Sequence, residues 1–196
     1  MNDLQPGEMS AIRDYAAGLL RGAKVRLRSL REEDTESLAS WWNEPEWAVF
    51  QSTKVVPAPA AATVEMFQAW SKNKDAGGVG FSIEKIDDGT LLGHVALWGI
   101  DPTIRAASLG IMIGTPHVGQ GFGTDTMKII LRFAFEELGL NKIELNVWEY
   151  NTRALRTYKS AGFVVEGTRR AAAFHAGRYW AQIQMGILRS EFLEMH

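Results

Sequence analysis

The sequence predicts a single domain of the α/β (α+β) class, a mixed, mostly antiparallel sheet with helices on both faces. Three observations carry this. A strand, a glycine-rich loop, a helix and a second strand follow one another between Ser108 and Val147; alternating apolar strands joined by turn signals lie on either side of that unit; and amphipathic helical stretches are interspersed. At 196 residues, 46% hydrophobic and 22% charged, the chain is long enough for one domain with a sizeable core.

From the N-terminus, Ile12, Tyr15, Ala16, Leu19 and Leu20 form a helical apolar stripe without a basic face, which predicts a helix packed on the body or on a second subunit, hence a possible homodimer. Residues 1–22 are read as a helical extension and 23–196 as the domain proper. Val25 and Leu27 alternate with Arg26 and Arg28 in a first strand, and a helix with an acidic start spans Arg31 to Trp42. Pro57 to Ala60 is a short linker before a helix over Ala61 to Lys72. Val79, Phe81 and Ile83 alternate, Asp87-Asp88-Gly89 marks a turn, and Leu91 to Ile100 returns as the second arm of a hairpin. Ser108 to Ile113 is a strand. Met127, Ile130, Leu131, Ala134, Phe135 and Leu138 recur at helical spacing, with Asp125 in the first turn and Gly139 at the end. Ile143, Leu145 and Val147 alternate with Glu144, Asn146 and Trp148; Phe163 to Thr168 and Tyr179 to Leu188 are two more strands joined by a loop containing Gly177.

Several function classes are set aside by composition. A net charge of -2 gives no electrostatic reason to expect a nucleic-acid partner. No long apolar run and no basic segment followed by an apolar stretch occurs, so membrane spanning and secretion are not expected and a cytoplasmic location is. The absence of cysteine removes disulfides, thiolate metal ligands and a thiol nucleophile together. No metal is expected.

The densest segment is Val118 to Thr124, V-G-Q-G-F-G-T. Glycines at 119, 121 and 123 strip side chains from a loop directly before a helix, leaving backbone N–H groups to converge on an anion at the positive end of the helix dipole. Such a cradle needs no lysine, and a side chain at Gly119, Gly121 or Gly123 would take space or backbone angles it requires. A P-loop is excluded, because Gly123 is followed by Thr124 and Asp125 rather than by Lys and Ser or Thr. The spacing G-x-G-x-G also departs from the dinucleotide fingerprint G-x-G-x-x-G, with Glu144 inside its strand rather than at the end. A glycine-rich turn without a ligand stays open on this segment alone.

The next segment, Asn151 to Phe163, reads N-T-R-A-L-R-T-Y-K-S-A-G-F. Asn151 or Thr152 caps a short helix with Ala154, Leu155 and Tyr158 inside, and Gly162 ends it. With both motifs in order, the chain resembles the GNAT superfamily of N-acetyltransferases from about Val25 to Leu188. That pattern's [QR]-x-x-G-x-[GA] loop maps onto Val118 to Gly123, with Val118 in place of the usual Arg or Gln, and its N-x-x-[SA]-x-x-x-Y-x-x-x-G-F segment maps onto Asn151 to Phe163. The resemblance implies the GNAT fold, acetyl-CoA as co-substrate, and strands that splay beside the glycine loop. It implies cofactor binding by Ile111, Met112, Ile113, Val118, Gly119, Gln120, Gly121, Phe122, Gly123, Thr124, Asn151 and Tyr158. Tyr158 would protonate the leaving thiolate, Asn151 would hold the pantetheine arm or a water, and a backbone N–H of Ile111, Met112 or Ile113 would stabilise the oxyanion.

For the general base, the glutamate many members carry is replaced by Ser108, leaving His94, Asp101, Glu144 and His175 as candidates, or deprotonation through water. For the acceptor, Trp41, Trp42 and Trp47 with Glu44 and Glu46 suggest an aromatic, acidic site for a cationic amine, against the alternative that these tryptophans are core. L-R-S-L-R-E-E-D, G-H-V-A-L-W-G-I-D and E-G-T-R-R most resemble the Rim-type branch, which acetylates protein N-terminal amines and includes small-molecule acetyltransferases. The expected reaction is transfer of an acetyl group to a primary amine of a peptide N-terminus or small molecule. An antibiotic-modifying acetyltransferase and a non-catalytic acyl-CoA-binding protein are the alternatives.

Overall fold

The computed structural model describes residues 6–74 and 76–195; residues 1–5 of the expected extension lie outside that range. Its elements are α1 (Pro6–Leu19), β1 (Val25–Arg28), α2 (Asp34–Asn43), α3 (Pro45–Gln51), α4 (Ala60–Trp70), β2 (Gly78–Lys85), β3 (Leu91–Asp101), β4 (Ala106–Ile113), α5 (Phe122–Arg132), β5 (Lys142–Trp148), α6 (Thr152–Ser160), β6 (Val164–His175), β7 (Arg178–Leu188) and α7 (Arg189–Glu194). The strands form one seven-stranded sheet in the order β1-β2-β3-β4-β5-β7-β6, antiparallel except for β4 against β5. The mixed, mostly antiparallel sheet read from the sequence is the sheet observed.

Alternation along each strand splits its side chains between two layers. The larger core joins Val25, Ile83, Val95, Leu109 and Ile143 to Met127, Ile130, Leu131 and Phe135 of α5 and its continuation, and to Phe192 of α7. The smaller core, Leu38, Trp47, Phe67 and Met112, lies under α2, α3 and α4. Behind β1 and β2, Arg28 binds Asp34 through both terminal guanidinium nitrogens, at 2.6 and 2.9 Å, and pairs with Glu84 through Nε, while the Ser82 hydroxyl donates to Asp34 at 2.7 Å. Burial works against ionising Asp34 and Glu84. The Arg28 guanidinium and their other donors outweigh it and hold both carboxyls below their ordinary values. This network fixes the start of α2 to the sheet, and with it the helices over one end of the β4 edge.

Three details differ from the sequence reading. The helix after the glycine loop changes to a π-helical turn at Phe133–Glu137 before Gly139 ends it. The β6–β7 connection is a tight hairpin, because Ala176 and Gly177 both take left-handed backbone and let His175 pair with Arg178. Among the described side chains of α1 only Leu19 is buried; Ile12 is 60% exposed, so most of the expected stripe faces outward. What holds α1 is polar: Arg132 donates to the carbonyls of Gly18, Leu19 and Arg21 at 2.6–2.9 Å, and the Tyr15 hydroxyl to Glu137 at 3.0 Å.

Candidate active site

The parallel pairing of β4 with β5 covers only Ala106–Lys142, Ala107–Ile143 and Ser108–Glu144. Beyond it the two strands part: β4 stays on β3 as far as Ile113, and β5 stays on β7 as far as Trp148. Gly114 donates its N–H to Leu92 of β3 at 2.8 Å. Because backbone direction alternates along a strand, Met112 and Gly110 also face β3, whereas the N–H groups of Ile111 and Ile113, beyond the seam, face the gap. Ile111 and Ile113 line the resulting cleft, of about 470 Å³. Met112 does not; its N–H faces β3 and its side chain is in the smaller core, so of the three expected donors only two are presented.

The glycine loop forms one wall. Gly119 and Gly121 have φ of 83° and 85°, a left-handed conformation that is strained for residues with a Cβ. Gly121 is the N-cap of α5, and Val118, Gly119, Gly121, Phe122, Gly123 and Thr124 all line the cleft. Gly123 has no left-handed backbone, and a Cβ there would meet only Ile113 Cγ1 at 3.7 Å, an ordinary contact. The protein's own backbone therefore demands glycine at 119 and 121 but not at 123. Gln120 is outside the lining. One cation stands against the loop despite the expectation that none is needed: Lys24 Nζ donates to the Gln120 carbonyl at 2.9 Å. Asp125, in the first turn of α5, accepts the N–H groups of Ala23, Lys24 and Val25 at 3.2, 2.7 and 3.0 Å.

The opposite wall is α6. Asn151 caps it, its Oδ1 accepting from the Ala154 N–H at 3.1 Å, and Tyr158, seven residues on, returns to the same face after about two turns. Both line the cleft. Burial pushes the Tyr158 phenol up to about 12, so it keeps its proton at neutral pH.

Of the tryptophan and glutamate group, only Trp47 reaches the cleft. The helix breaks at Glu44 and restarts at Pro45, which turns α3 away from the inner face of α2. Trp42 packs edge-on to Phe67 and Trp70 beneath the sheet, Trp41 packs on Gly114 and edge-on to His117, and Glu44 accepts from the Thr115 hydroxyl. Glu46 is exposed. Aromatic lining comes instead from Trp47, Phe50, Trp98 and Trp148, with the amides of Gln51, Asn146 and Gln182. Trp98 is legible only in hindsight, as an exposed tryptophan opposite Ser108, laid over Gly110.

None of the four base candidates lines the cleft. His94 is buried, its Nε2 2.8 Å from Ser71 Oγ and its ring against Phe67, and burial pushes its pKa down to about 4. Asp101 caps a turn through the Thr103 N–H; Glu144 is exposed beside Lys142; His175 lies edge-on to Tyr150 at the hairpin end. The titratable side chains among the described lining residues are His117, Arg153 and Tyr158. His117 went unnoticed in the sequence because it precedes the glycine motif without belonging to it. No group of three potential metal ligands occurs among the described residues, and none of their helices is long and apolar enough to cross a membrane.

A family model described as an acetyltransferase (GNAT) domain matches residues 24–164. Spermidine N(1)-acetyltransferase of Escherichia coli (strain K12) is 29% identical over 182 residues, covering 88% of this chain and 90% of that protein. The putative ribosomal N-acetyltransferase YdaF of Bacillus subtilis (strain 168) is 28% identical over 105 residues, 54% of this chain and 57% of its own. Among solved structures, spermidine N-acetyltransferase from Vibrio cholerae in complex with CoA and spermine superposes with a TM-score of 0.77 at 28% identity, covering 86% of this chain and 98% of that one.

Proposed function

Given that the chain belongs to the GNAT acetyltransferase domain family and is an acetyl-CoA-dependent N-acetyltransferase, we propose that its acceptor is a small cationic amine held among the aromatic side chains of the cleft. The observation that carries this reading is the lining itself: indole and phenyl faces at Trp47, Phe50, Trp98 and Trp148 attract ammonium groups, and the amides of Gln51 and Asn146 offer acceptor oxygens for their N–H donors, whereas the Gln182 oxygen already accepts from Arg169 at 2.9 Å. Similarity to spermidine acetyltransferases supports it. A peptide N-terminal amine is the second reading, favoured by the similarity to YdaF and by the Rim-type segments of the sequence.

In the mechanism we assign, the neutral amine attacks the thioester carbonyl, forming the C–N bond. The N–H groups of Ile111 and Ile113 face the gap where the oxyanion would be stabilised. As the C–S bond breaks, Tyr158 gives its phenolic proton to the departing sulfur; the proton shed by the amine passes to His117 or to water. Asn151 contributes by fixing the first turn of α6, which sets the position of Tyr158. A thiol with a pKa of about 8.5 leaves readily, so the acid accelerates rather than enables the step.

Free-thiol release from acetyl-CoA with a panel of spermidine, spermine, monoamines, an aminoglycoside and a peptide with a free N-terminus tests this. Polyamines turned over at least about tenfold more efficiently than the peptide are expected. Turnover of the peptide alone would install the second reading, and release with no amine would remove the acceptor assignment.

A further inference from the structure

We propose that Lys24 is a positioning residue for the diphosphate of acetyl-CoA, acting through the peptide bond between Gln120 and Gly121. The inference rests on acetyl-CoA as the co-substrate of this cleft. Lys24 lies outside the glycine motif, 96 residues before Gln120, and does not line the cleft. Its ammonium donates to the Gln120 carbonyl at 2.9 Å and stands 3.1 Å from where a Cβ on Gly121 would be. In a trans peptide the C=O and the following N–H point in opposite directions. A carbonyl drawn outward to Lys24 therefore turns the Gly121 N–H inward, to the side where Gly119, Gly121 and Gly123 line the cleft.

Such a hold matters because the residue that follows this peptide bond is a glycine. A flip of the 120–121 peptide turns on ψ of Gln120 and φ of Gly121, and with no Cβ at 121 it meets little steric resistance there; a flipped peptide would present a carbonyl oxygen to an anion. Lys24 selects one orientation, and a binder whose competent state is better populated binds with higher apparent affinity. Its own place is fixed. The Asp125 carboxylate in the first turn of α5 accepts the Lys24 N–H at 2.7 Å, so the lysine is anchored to the helix whose N-terminus it serves. That carboxylate is unfavourable for a nearby diphosphate, and the ammonium offsets it.

The test compares wild type, Lys24→Met and Lys24→Arg. Lys24 is exposed and its backbone bonds to Asp125 survive substitution, so the variants keep the fold. Calorimetry should show CoA and dephospho-CoA, which both carry the diphosphate, bound about tenfold more weakly by Lys24→Met, with affinity regained in Lys24→Arg. Saturated turnover should be unchanged, and with acetyl-pantetheine, which lacks the diphosphate, kcat/KM should match wild type. Equal CoA affinity in wild type and Lys24→Met would overturn the proposal. So would an equal penalty on acetyl-pantetheine, which would mark a general disturbance of the cleft. Wild-type protein that binds no CoA would overturn the co-substrate assignment itself, a result distinguishable from the other two.

Discussion

Acid should destabilise this protein through one buried imidazole. His94 is 3% exposed, sits among Phe67, Trp70 and Ser71, and has its pKa pushed from the ordinary 6.5 to about 4 by burial. Since the folded state disfavours the charged ring, the unfolded chain binds a proton first as pH falls. The stability His94 lends is thus full above pH 6.5 and is lost between that value and about 4. At about 1.4 kcal/mol per pKa unit, the loss comes to roughly 2 kcal/mol at pH 5 and roughly 3 kcal/mol at pH 4 and below. Urea unfolding at pH 7, 6, 5 and 4, for wild type and His94→Gln, isolates this contribution. Glutamine does not titrate, so the variant's lower starting stability is irrelevant and only the difference in pH dependence counts. Parallel curves for the two proteins down to pH 4 would refute the argument, because they would mean His94 charges equally in both states.

Three further outcomes follow from the cleft and its supports. Tyr158→Phe should lower kcat by about tenfold or more while CoA affinity measured by calorimetry stays within about twofold; with its phenol at about 12, wild-type kcat should show no alkaline limb from this group up to pH 10. Gly121→Val places a β-branched residue at φ 85° beside Lys24 Nζ, at a backbone cost of about 1–2 kcal/mol, and should weaken CoA binding by more than about tenfold while circular dichroism reports an intact fold. Arg28→Met leaves buried Asp34 without its cation, while Glu84 keeps Arg26 and Arg31, and urea titration should show a loss of about 3 kcal/mol.

What could be read from the sequence was what lies close together along it. The glycine loop, the stripe of α5 and the cap and tyrosine of α6 are local patterns, since loop, helix face and cap are each determined within a few residues. Strand alternation likewise gave the sheet. Lys24 and Gln120 meet only because β1 is tied to α5 through Asp125, a contact with no periodicity to betray it. The tryptophans misled for a related reason. Trp41, Trp42 and Trp47 are neighbours in sequence, but across the break at Glu44 and Pro45 only Trp47, itself a buried member of the smaller core, also reaches the cleft, while Trp41 and Trp42 pack at the edge of that core. Met112 was one residue out of phase with the gap: backbone alternation decides which N–H groups face it, and that phase depends on which neighbouring strand pairs first.

The short seam at Ala106–Ser108 divides the sheet mechanically. One plate, β1 to β4, carries α2 to α4; the other, β5 to β7, carries α6 and α7, and besides the seam they are joined by α5 and its continuation lying across the shared core and by Tyr150, whose hydroxyl donates to the Val49 carbonyl of α3 at 2.6 Å. A molecule wedged into the fork touches both plates, so occupancy and internal rigidity become one equilibrium. Amide exchange should then slow on the facing edges of both strands when the fork is filled, making the β-sheet itself a reporter of whether the enzyme is loaded.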